Sequence, residues 1–331
     1  MTNHTHRNSA TIHTGRGAHR YRIEHDWLTP PWDMSWGDTQ GLCQDSSGRI
    51  YVGHTVGPAS MRSDAILVFD AAGRYLCGFG GEFRGGTHGL ACRQEPDGEY
   101  LYVTDTIRCQ FAKLTLAGEV VWRKAYPLDV PAYAGAPRSF CPTNFAFAPN
   151  GDFFLADGYG SHFILRYDRH GNFLAPLGRP GTADGEFREP HGLWVDTRGD
   201  APVLVVADRG NSRLQVLTLE GRHLRTVQDS ARLQMPCHFD QQGEWLVCPD
   251  LTGQVCLLDR DFQVAAQLGD GRADNAPLGS RRWQSRTEFP PGKFIYPHAA
   301  IFLRDGSILV AEWVLIGRIT RLIPCAADQV R

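Results

Sequence analysis

The sequence has no long apolar run and no excess of charge of either sign. None of its apolar stretches approaches the roughly 20 residues that a membrane-spanning helix needs. With 34 basic and 36 acidic residues the formal net charge is −2, which argues against a nucleic-acid or membrane-surface role. Residues 1–20 also lack the apolar segment of a secretory signal, so we expect no signal peptide.

The nine cysteines do not form a recognisable framework. Their number is odd and no two of them stand in a CxxC spacing. This suits buried thiols in a reducing compartment better than a set of disulfides. It predicts a cytoplasmic protein, and the balanced charge predicts that neither a nucleic acid nor a membrane is its partner.

The segment 178–224 shows the unit from which the chain is built. A glycine-rich approach ends at Pro190-His191 and is followed by short apolar runs separated by Gly, Asp and Asn. Such runs, rich in β-branched residues and bounded by turn residues, predict strands of an antiparallel sheet. The runs are residues 193–196, 203–207 and 213–219.

This unit occurs six times, at a spacing of about 50 residues. Each copy has three clear strands and room for a fourth, which predicts an all-β, six-bladed β-propeller with four-stranded antiparallel blades around a central channel. Residues 21–27 are expected to close the last blade as its outer strand. The copies are residues 40–73, 87–118, 141–171, 178–224, 235–259 and 296–323.

The predicted propeller occupies residues 20–331 as a single domain. Residues 1–19, which are polar, are expected to form a disordered N-terminal tail. Residues 270–293, rich in Gly, Arg and Pro, form a long loop between blades five and six. We expect it to be a surface loop over one mouth of the channel. Long loops in such a place tend to carry function.

The opening residue of each first strand faces the same channel mouth. Histidine occupies this position in blades two, four and six, about 120° apart, so three imidazoles are expected to converge on the axis. Three histidines with an open fourth position are the ligand set of catalytic zinc, although iron and copper also accept imidazole. The aligned residues are Gln40, His88, Thr143, His191, Cys237 and His298, with His238 adjacent and the register of blade five left open.

A second recurring position lies at the end of the next strand. It is acidic in five of the six copies, and we interpret it as turn-stabilising rather than as a metal cage. Tyr159 and Arg209 lie just beyond it, where side chains lean over the mouth. A tyrosine whose pKa is lowered by a nearby cation or metal is a candidate base, and an arginine offers a bidentate fork to a carboxylate. The recurring residues are His54, Asp105, Asp157, Asp208, Asp250 and Glu312.

These segments resemble the NHL repeats, and more closely the lyase domain of peptidylglycine α-amidating enzymes, over residues 36–324. HGLA with His88, EPHGL with His191 and YPHAA with His298 match its three histidine-bearing segments. The resemblance implies a six-bladed propeller whose three histidines hold zinc, and a reaction that splits a peptidyl-α-hydroxyglycine into a peptide amide and glyoxylate. The resemblance also implies a catalytic role for Tyr159, in the segment FCPTNFAFAPNGDFFLADGYG. It implies a contact with substrate for Arg209, in the segment VVADRGNSRLQV.

The sequence also departs from this family. Ala299 replaces an aspartate that helps to hold a structural calcium, which argues against calcium here. His54 and Thr55 stand where the family has a substrate-binding arginine, and Tyr296 replaces a methionine. Gly160 replaces a cysteine, so the disulfide formed there is absent. Retained metal ligands with altered substrate contacts predict related chemistry on a different substrate.

We therefore predict a zinc-dependent, lyase-like enzyme for a small α-hydroxylated carboxylate or amide. Tyr159 is the predicted base and Arg209 the carboxylate anchor. The alternatives are a metal-dependent hydrolase or elimination lyase, a redox enzyme with iron or copper at the same site, and a non-catalytic NHL propeller that binds a protein. Weaker candidates for substrate contact are Gln40, His54, Thr143, Cys237, His238 and Tyr296.

Overall fold

The computed structural model describes residues 11–133 and 139–326. Two short strands, β1 (His13–Thr14) and β2 (Tyr21–Glu24), precede the first blade. Blade one contains β3 (Thr39–Gln44), β4 (Ile50–His54), β5 (Ile66–Phe69) and β6 (Tyr75–Phe79). Blade two contains β7 (Thr87–Glu95), β8 (Gly98–Asp105), β9 (Gln110–Thr115) and β10 (Val120–Lys124). Blade three contains β11 (Phe145–Phe147), β12 (Phe153–Ala156), β13 (Ile164–Tyr167) and β14 (Phe173–Leu177).

The second half of the chain repeats the pattern. A parallel pair, β15 (Arg179–Pro180) and β16 (Glu186–Phe187), precedes blade four. Blade four contains β17 (Pro190–Asp196), β18 (Val203–Asp208), β19 (Arg213–Thr218) and β20 (His223–Val227). Blade five contains β21 (Asp240–Gln242), β22 (Trp245–Asp250), β23 (Gln254–Leu258) and β24 (Val264–Leu268). Blade six contains β25 (Pro297–Phe302), β26 (Ile308–Glu312) and β27 (Ile319–Pro324).

Blade six is completed by the N-terminal segment. β2 pairs antiparallel with β27, with Ile23 opposite Leu322, and β1 extends the same sheet beyond β2. The predicted closing strand is thus confirmed, as are six blades of mostly four antiparallel strands. Of the predicted tail, residues 1–10 lie outside the described residues, whereas His13–Thr14 belong to the sheet. Closure in this way pairs an edge that would otherwise be exposed.

The burial of the strands explains why the sequence is so apolar in its second and third runs. Every residue of β5 and β23 is buried, because a middle strand is covered by the neighbouring blade on each face. The outer strand β10 is mostly exposed and carries charged residues. No helix within the described ranges has the length and apolarity needed to cross a membrane.

Buried carboxylates at the ends of the second strands hold the loops of one mouth. Asp157 accepts hydrogen bonds from the N–H groups of Cys141 and Ser161, at 2.6 Å each. Asp250 accepts the N–H groups of Met235 and Thr252 in the same manner. Each carboxylate therefore joins the loop that enters a blade to the loop that follows its second strand, as the turn-stabilising interpretation requires.

The long loop between blades five and six lies beside the same mouth. It contains a short helix, α1 (Arg272–Asn275), and one turn of 3₁₀ helix over Arg286–Glu288. Arg282 forms an ion pair with Asp38 at 2.7 Å and lies 3.7 Å from the centre of the Trp313 ring. Because Asp38 immediately precedes β3, the loop reaches from blade six to the start of blade one.

Candidate metal centre

Three histidines meet where the first strands of alternate blades begin. His88 lies on β7, His191 on β17 and His298 on β25, and all three are buried. Their ring centres are 4.9, 4.6 and 4.7 Å apart, close to an equilateral triangle. One nitrogen from each ring lies within 4.8 Å of the other two. The convergence predicted from the repeat is therefore present.

Each of the three rings is oriented by the adjacent blade. Its Nδ1–H donates to the backbone carbonyl of the residue at the equivalent position of that blade, at or just before its first strand. This contact fixes the tautomer, so the lone pair of Nε2 is directed to the axis. The pairs are His88 with Thr143 at 2.8 Å, His191 with Cys237 at 2.7 Å and His298 with Gln40 at 3.0 Å.

These contacts settle the register of blade five. The carbonyl of Cys237 accepts a hydrogen bond from His191, as the carbonyls of Thr143 and Gln40 do from the other two histidines. Cys237 is therefore the equivalent residue in blade five. His238 points elsewhere: its Nδ1 bonds the carbonyl of Ala300, at 3.1 Å, and its side chain lines the channel beyond the cluster. His238 therefore does not join the group of ligands.

The glycine after two of the histidines is required by the close approach of the inner strands. A Cβ atom on Gly89 would lie 2.3 Å from the carbonyl oxygen of Thr143, and one on Gly192 would lie 2.6 Å from that of Cys237. These are the same oxygens that orient His88 and His191. The Pro-His-Gly motif of blade four is thus explained by packing as well as by the ligand.

Burial keeps the three imidazoles neutral. It lowers the pKa of His88 to about 3 and that of His191 and His298 well below the usual value, with Arg209 acting in the same direction. Neutral imidazole is the form that binds a metal. Three unprotonated Nε2 atoms facing one point fit a divalent transition metal with a remaining open position.

Tyr159 extends over the cluster from the loop after β12. The residue is 39% exposed, but its hydroxyl reaches inward, 2.9 Å from Nε2 of His191 and 3.1 Å from Nε2 of His88. The sequence predicted a lowered pKa for this tyrosine. In the structure, burial raises the pKa of Tyr159 to about 12 and outweighs the opposing effect of Arg209. The protein groups around it thus favour the protonated phenol at neutral pH.

Arg209 lies in the turn after β18 and is 4% exposed. Its Nη2 donates to the Tyr159 hydroxyl at 3.1 Å and to Oε1 of Glu189 at 2.6 Å, and its Nη1 contacts the Sγ of Cys237 at 3.5 Å. Burial lowers its pKa, but Tyr159, Cys237 and Glu189 raise it by more, so the guanidinium stays charged. Its Nε is buried without a hydrogen-bond partner among the described residues.

Glu189 was not singled out from the sequence. It precedes Pro190-His191 and has a φ of 55°, a left-handed conformation that is uncommon outside glycine. This conformation places its carboxylate on Arg209. An acidic residue before the Pro-His pair is the only trace of this role in the sequence, because φ cannot be read from residue type.

The remaining candidates lie in or around this mouth with structural partners. His54 is buried, accepts the N–H groups of Gly37 and Val56 on Nδ1, and donates from Nε2 to the carbonyl of Asp64. Both of its nitrogens are thus used inside blade one. Tyr296 is also buried, and its hydroxyl donates to the carbonyl of Asn275 at 3.0 Å.

Gln40, Thr143 and Cys237 take part through their backbone carbonyls, as described above. The hydroxyl of Thr143 bonds the carbonyls of Ala156 and Pro190, at 3.3 and 3.2 Å. The structure therefore gives these residues the role of orienting the histidines. It brings Tyr159 and Arg209 into direct contact with the cluster or with each other.

The fold and this site define a class: a six-bladed β-propeller with a buried group of three histidines that could hold a metal. No protein-family model matches the chain. Among solved structures, a streptogramin B lyase superposes with a TM-score of 0.61 over 92% of this chain and 98% of that one, at 14% identity. Such a likeness establishes the fold alone.

The curated relatives give the more particular relation. The chain is 32% identical over 275 residues to peptidyl-α-hydroxyglycine α-amidating lyase 1 of Drosophila melanogaster, covering 76% of this chain and 47% of the relative. It is 33% identical over 229 residues to peptidyl-glycine α-amidating monooxygenase A of Xenopus laevis, covering 60% and 23%. The chain thus spans half or less of the length of these relatives. It is a distant homologue of the amidating lyases.

Proposed function

We propose that this protein is a metal-dependent lyase that cleaves the C–N bond of a small α-hydroxylated amide carrying a carboxylate. The single observation that carries the proposal is the buried group of three neutral histidines, with the hydroxyl of Tyr159 and the guanidinium of Arg209 beside it. The homology to amidating lyases supports the reaction class.

His88, His191 and His298 would hold the metal, and we propose zinc as its identity. Bound there, the metal would supply a Lewis acid for the oxygen of the substrate hydroxyl. The donor set is consistent with zinc, because imidazole nitrogens are common zinc ligands and a three-histidine set leaves a position open. Iron and copper accept the same donors, so metal analysis of the purified protein decides between them.

Arg209 would bind the carboxylate of the substrate. Its charge is retained despite burial, and its Nε, which has no hydrogen-bond partner in the described part of the chain, provides a donor besides the two Nη groups. A carboxylate held in this way places the neighbouring α-carbon and its hydroxyl close to the Tyr159 oxygen, which Nη2 already contacts at 3.1 Å.

Tyr159 would move the proton. Its phenolate would accept the proton of the substrate hydroxyl. Arg209 stabilises this phenolate, and the charge of a metal held by the three histidines would counter the effect of burial on the pKa of the phenol. The C–O bond then becomes a carbonyl as the C–N bond breaks, and the electron pair of that bond goes to nitrogen. Return of the proton from Tyr159 to this nitrogen completes an amide and an α-oxo acid. No oxidant or reductant is consumed.

The test combines elemental analysis with a reaction assay. Purified protein is expected to contain one equivalent of a transition metal and to release glyoxylate from an N-acyl-α-hydroxyglycine. The substitution His191→Ala should remove both properties. His170→Ala is the matched control, since His170 is exposed in the turn between β13 and β14 and should leave both unchanged.

Two results would overturn the proposal. One is a folded protein that binds no transition metal even after reconstitution. The other is a metal-loaded protein whose activity is the same with and without His191.

A further inference from the structure

Two cysteines from adjacent blades meet in the wall of the channel. Cys43 lies on β3 and Cys92 on β7, the first strands of blades one and two, and their sulfur atoms are 3.0 Å apart. This is about 1 Å more than the length of a disulfide bond, which is about 2.05 Å. Forty-nine positions separate the two residues in the sequence, and no spacing motif links them.

The backbones of these two strands are unusually close. A Cβ atom on Gly41 of β3 would lie 2.5 Å from the carbonyl oxygen of His88 and 2.7 Å from Cβ of Leu90, both on β7. The glycine therefore lets the strands approach two residues before Cys43. The close packing of the two blades thus brings the two cysteine positions together.

The pair is open to small molecules from the channel. Both cysteines line a cavity of about 530 Å³ on the far side of the histidine cluster, whose lining also includes the exposed residues Ser46 and Arg304. Cys43 is buried, whereas Cys92 is partly exposed. An oxidant that enters this cavity would therefore reach Cys92 first.

We infer that Cys43 and Cys92 form a modification site, a reversible disulfide that joins blades one and two. The oxidant is a small-molecule disulfide of the glutathione class. The thiolate of Cys92 attacks it, forming a mixed disulfide and releasing one thiol. Cys43 then attacks the sulfur of Cys92 and displaces the second thiol. The two cysteine protons pass to the two released thiols, so atoms and electrons balance.

This inference is independent of the proposed reaction, because the cysteines have no contact with the metal ligands' nitrogens. Its consequence is mechanical. A cross-link between two inner strands limits the ways in which the ring can open, and it closes a long loop in the unfolded chain. We expect the oxidised protein to unfold at a temperature roughly 5 °C higher than the reduced protein.

The experiment equilibrates the purified, metal-loaded protein in glutathione buffers from fully reduced to fully oxidised. Free thiols are then blocked, and the protein is digested and examined by mass spectrometry. The expected result is a linked pair of peptides containing Cys43 and Cys92, together with the rise in unfolding temperature. Both should vanish in Cys43→Ser and in Cys92→Ser.

Cys77→Ser is the matched control, since Cys77 is exposed on β6 and should not affect the cross-link. Glutathione attached to Cys77 in the unsubstituted protein reports that the oxidant was active. If Cys77 is modified but no Cys43–Cys92 peptide appears, the inference is wrong. It is also wrong if the principal cross-link joins another pair, such as Cys109 and Cys141, or if Cys92→Ser retains the shift in unfolding temperature.

Discussion

At the scale of single residues, the Tyr159 hydroxyl is the point where the cluster and the arginine meet. It is within hydrogen-bond distance of two ligand nitrogens and of Arg209. The substitution Tyr159→Phe removes this oxygen and keeps the ring. Under the proposed function, we expect activity to fall by roughly 10²–10⁴-fold, the range typical of a lost acid–base group, with metal content unchanged. Steady-state kinetics and elemental analysis measure the two quantities.

A different outcome would reassign Tyr159. If Tyr159→Phe lost its metal, the hydroxyl would be part of the metal's coordination instead. Tyr100→Phe serves as the control, because the hydroxyl of Tyr100 bonds Asp97 in the exposed turn between β7 and β8 and its loss should leave catalysis near its original rate.

Glu189 gives a second prediction at this scale. Its carboxylate occupies one face of Arg209, so a substrate carboxylate bound there meets a like charge. Glu189→Gln keeps an oxygen to accept the hydrogen bond and removes the charge. We expect the KM for a carboxylate substrate to fall by roughly fivefold, equivalent to an interaction of about 1 kcal/mol, with little change in kcat.

The control for this variant is Glu186→Gln, which alters an ion pair with Arg179 on the exposed pair of strands β15 and β16. Its KM should not change. A rise in KM for Glu189→Gln would mean that the carboxylate positions Arg209 and does not compete with the substrate.

At the scale of elements, the inner strands of neighbouring blades orient the ligands, and glycine makes their approach possible. Gly192→Ala would place a methyl group 2.6 Å from the Cys237 carbonyl oxygen that His191 uses. We expect the free energy of unfolding to fall by roughly 1–3 kcal/mol, and metal affinity to fall with it. Urea denaturation and metal titration measure these effects.

Gly199→Ala is the matched substitution in the same blade. The nearest atom to a Cβ atom there is 3.9 Å away, and its φ is not in the left-handed region. This variant should keep both stability and metal affinity. If the two variants had the same free energy of unfolding and metal affinity, the strands at Gly192 would be able to move apart with little loss of stability.

At the scale of the whole molecule, buried neutral histidines make the fold sensitive to acid. Burial lowers the pKa of His25 to about 3 and the pKa values of His54 and His238 to about 4. The unfolded chain binds these protons below about pH 6.5, whereas the folded chain does not until pH 4 or lower. The stability that these neutral histidines contribute is therefore fully present above about pH 6.5 and is lost as the pH falls towards 4.

His54 alone should contribute about 2 kcal/mol of this loss between pH 7 and pH 5. In His54→Asn the amide oxygen can accept the N–H groups that Nδ1 accepts, but the side chain does not titrate. Urea unfolding at both pH values should show a smaller loss for the variant. An identical loss in the two proteins would mean that His54 is not neutral in the fold.

The repeat made the architecture and the ligands predictable. Six copies of one strand pattern determined the propeller, and the alternate spacing of His88, His191 and His298 followed from aligning them. What the sequence did not reveal depends on atoms brought together across blades. The register of blade five became clear only from the hydrogen bond between His191 and the carbonyl of Cys237. Likewise, the pKa of Tyr159 depends on how deeply its hydroxyl is buried.

The blade that holds the last ligand is shared by the two ends of the described chain. β2 pairs with β27, and His298 lies on β25 in the same sheet. A ribosome therefore synthesises β2 first, and the strands that complete its blade last. The third imidazole emerges only after the other five blades, so an unfinished chain carries only two of the three histidines. Under the proposed function, high-affinity metal capture would therefore be a signature of completed translation, and interrupted products would remain without it.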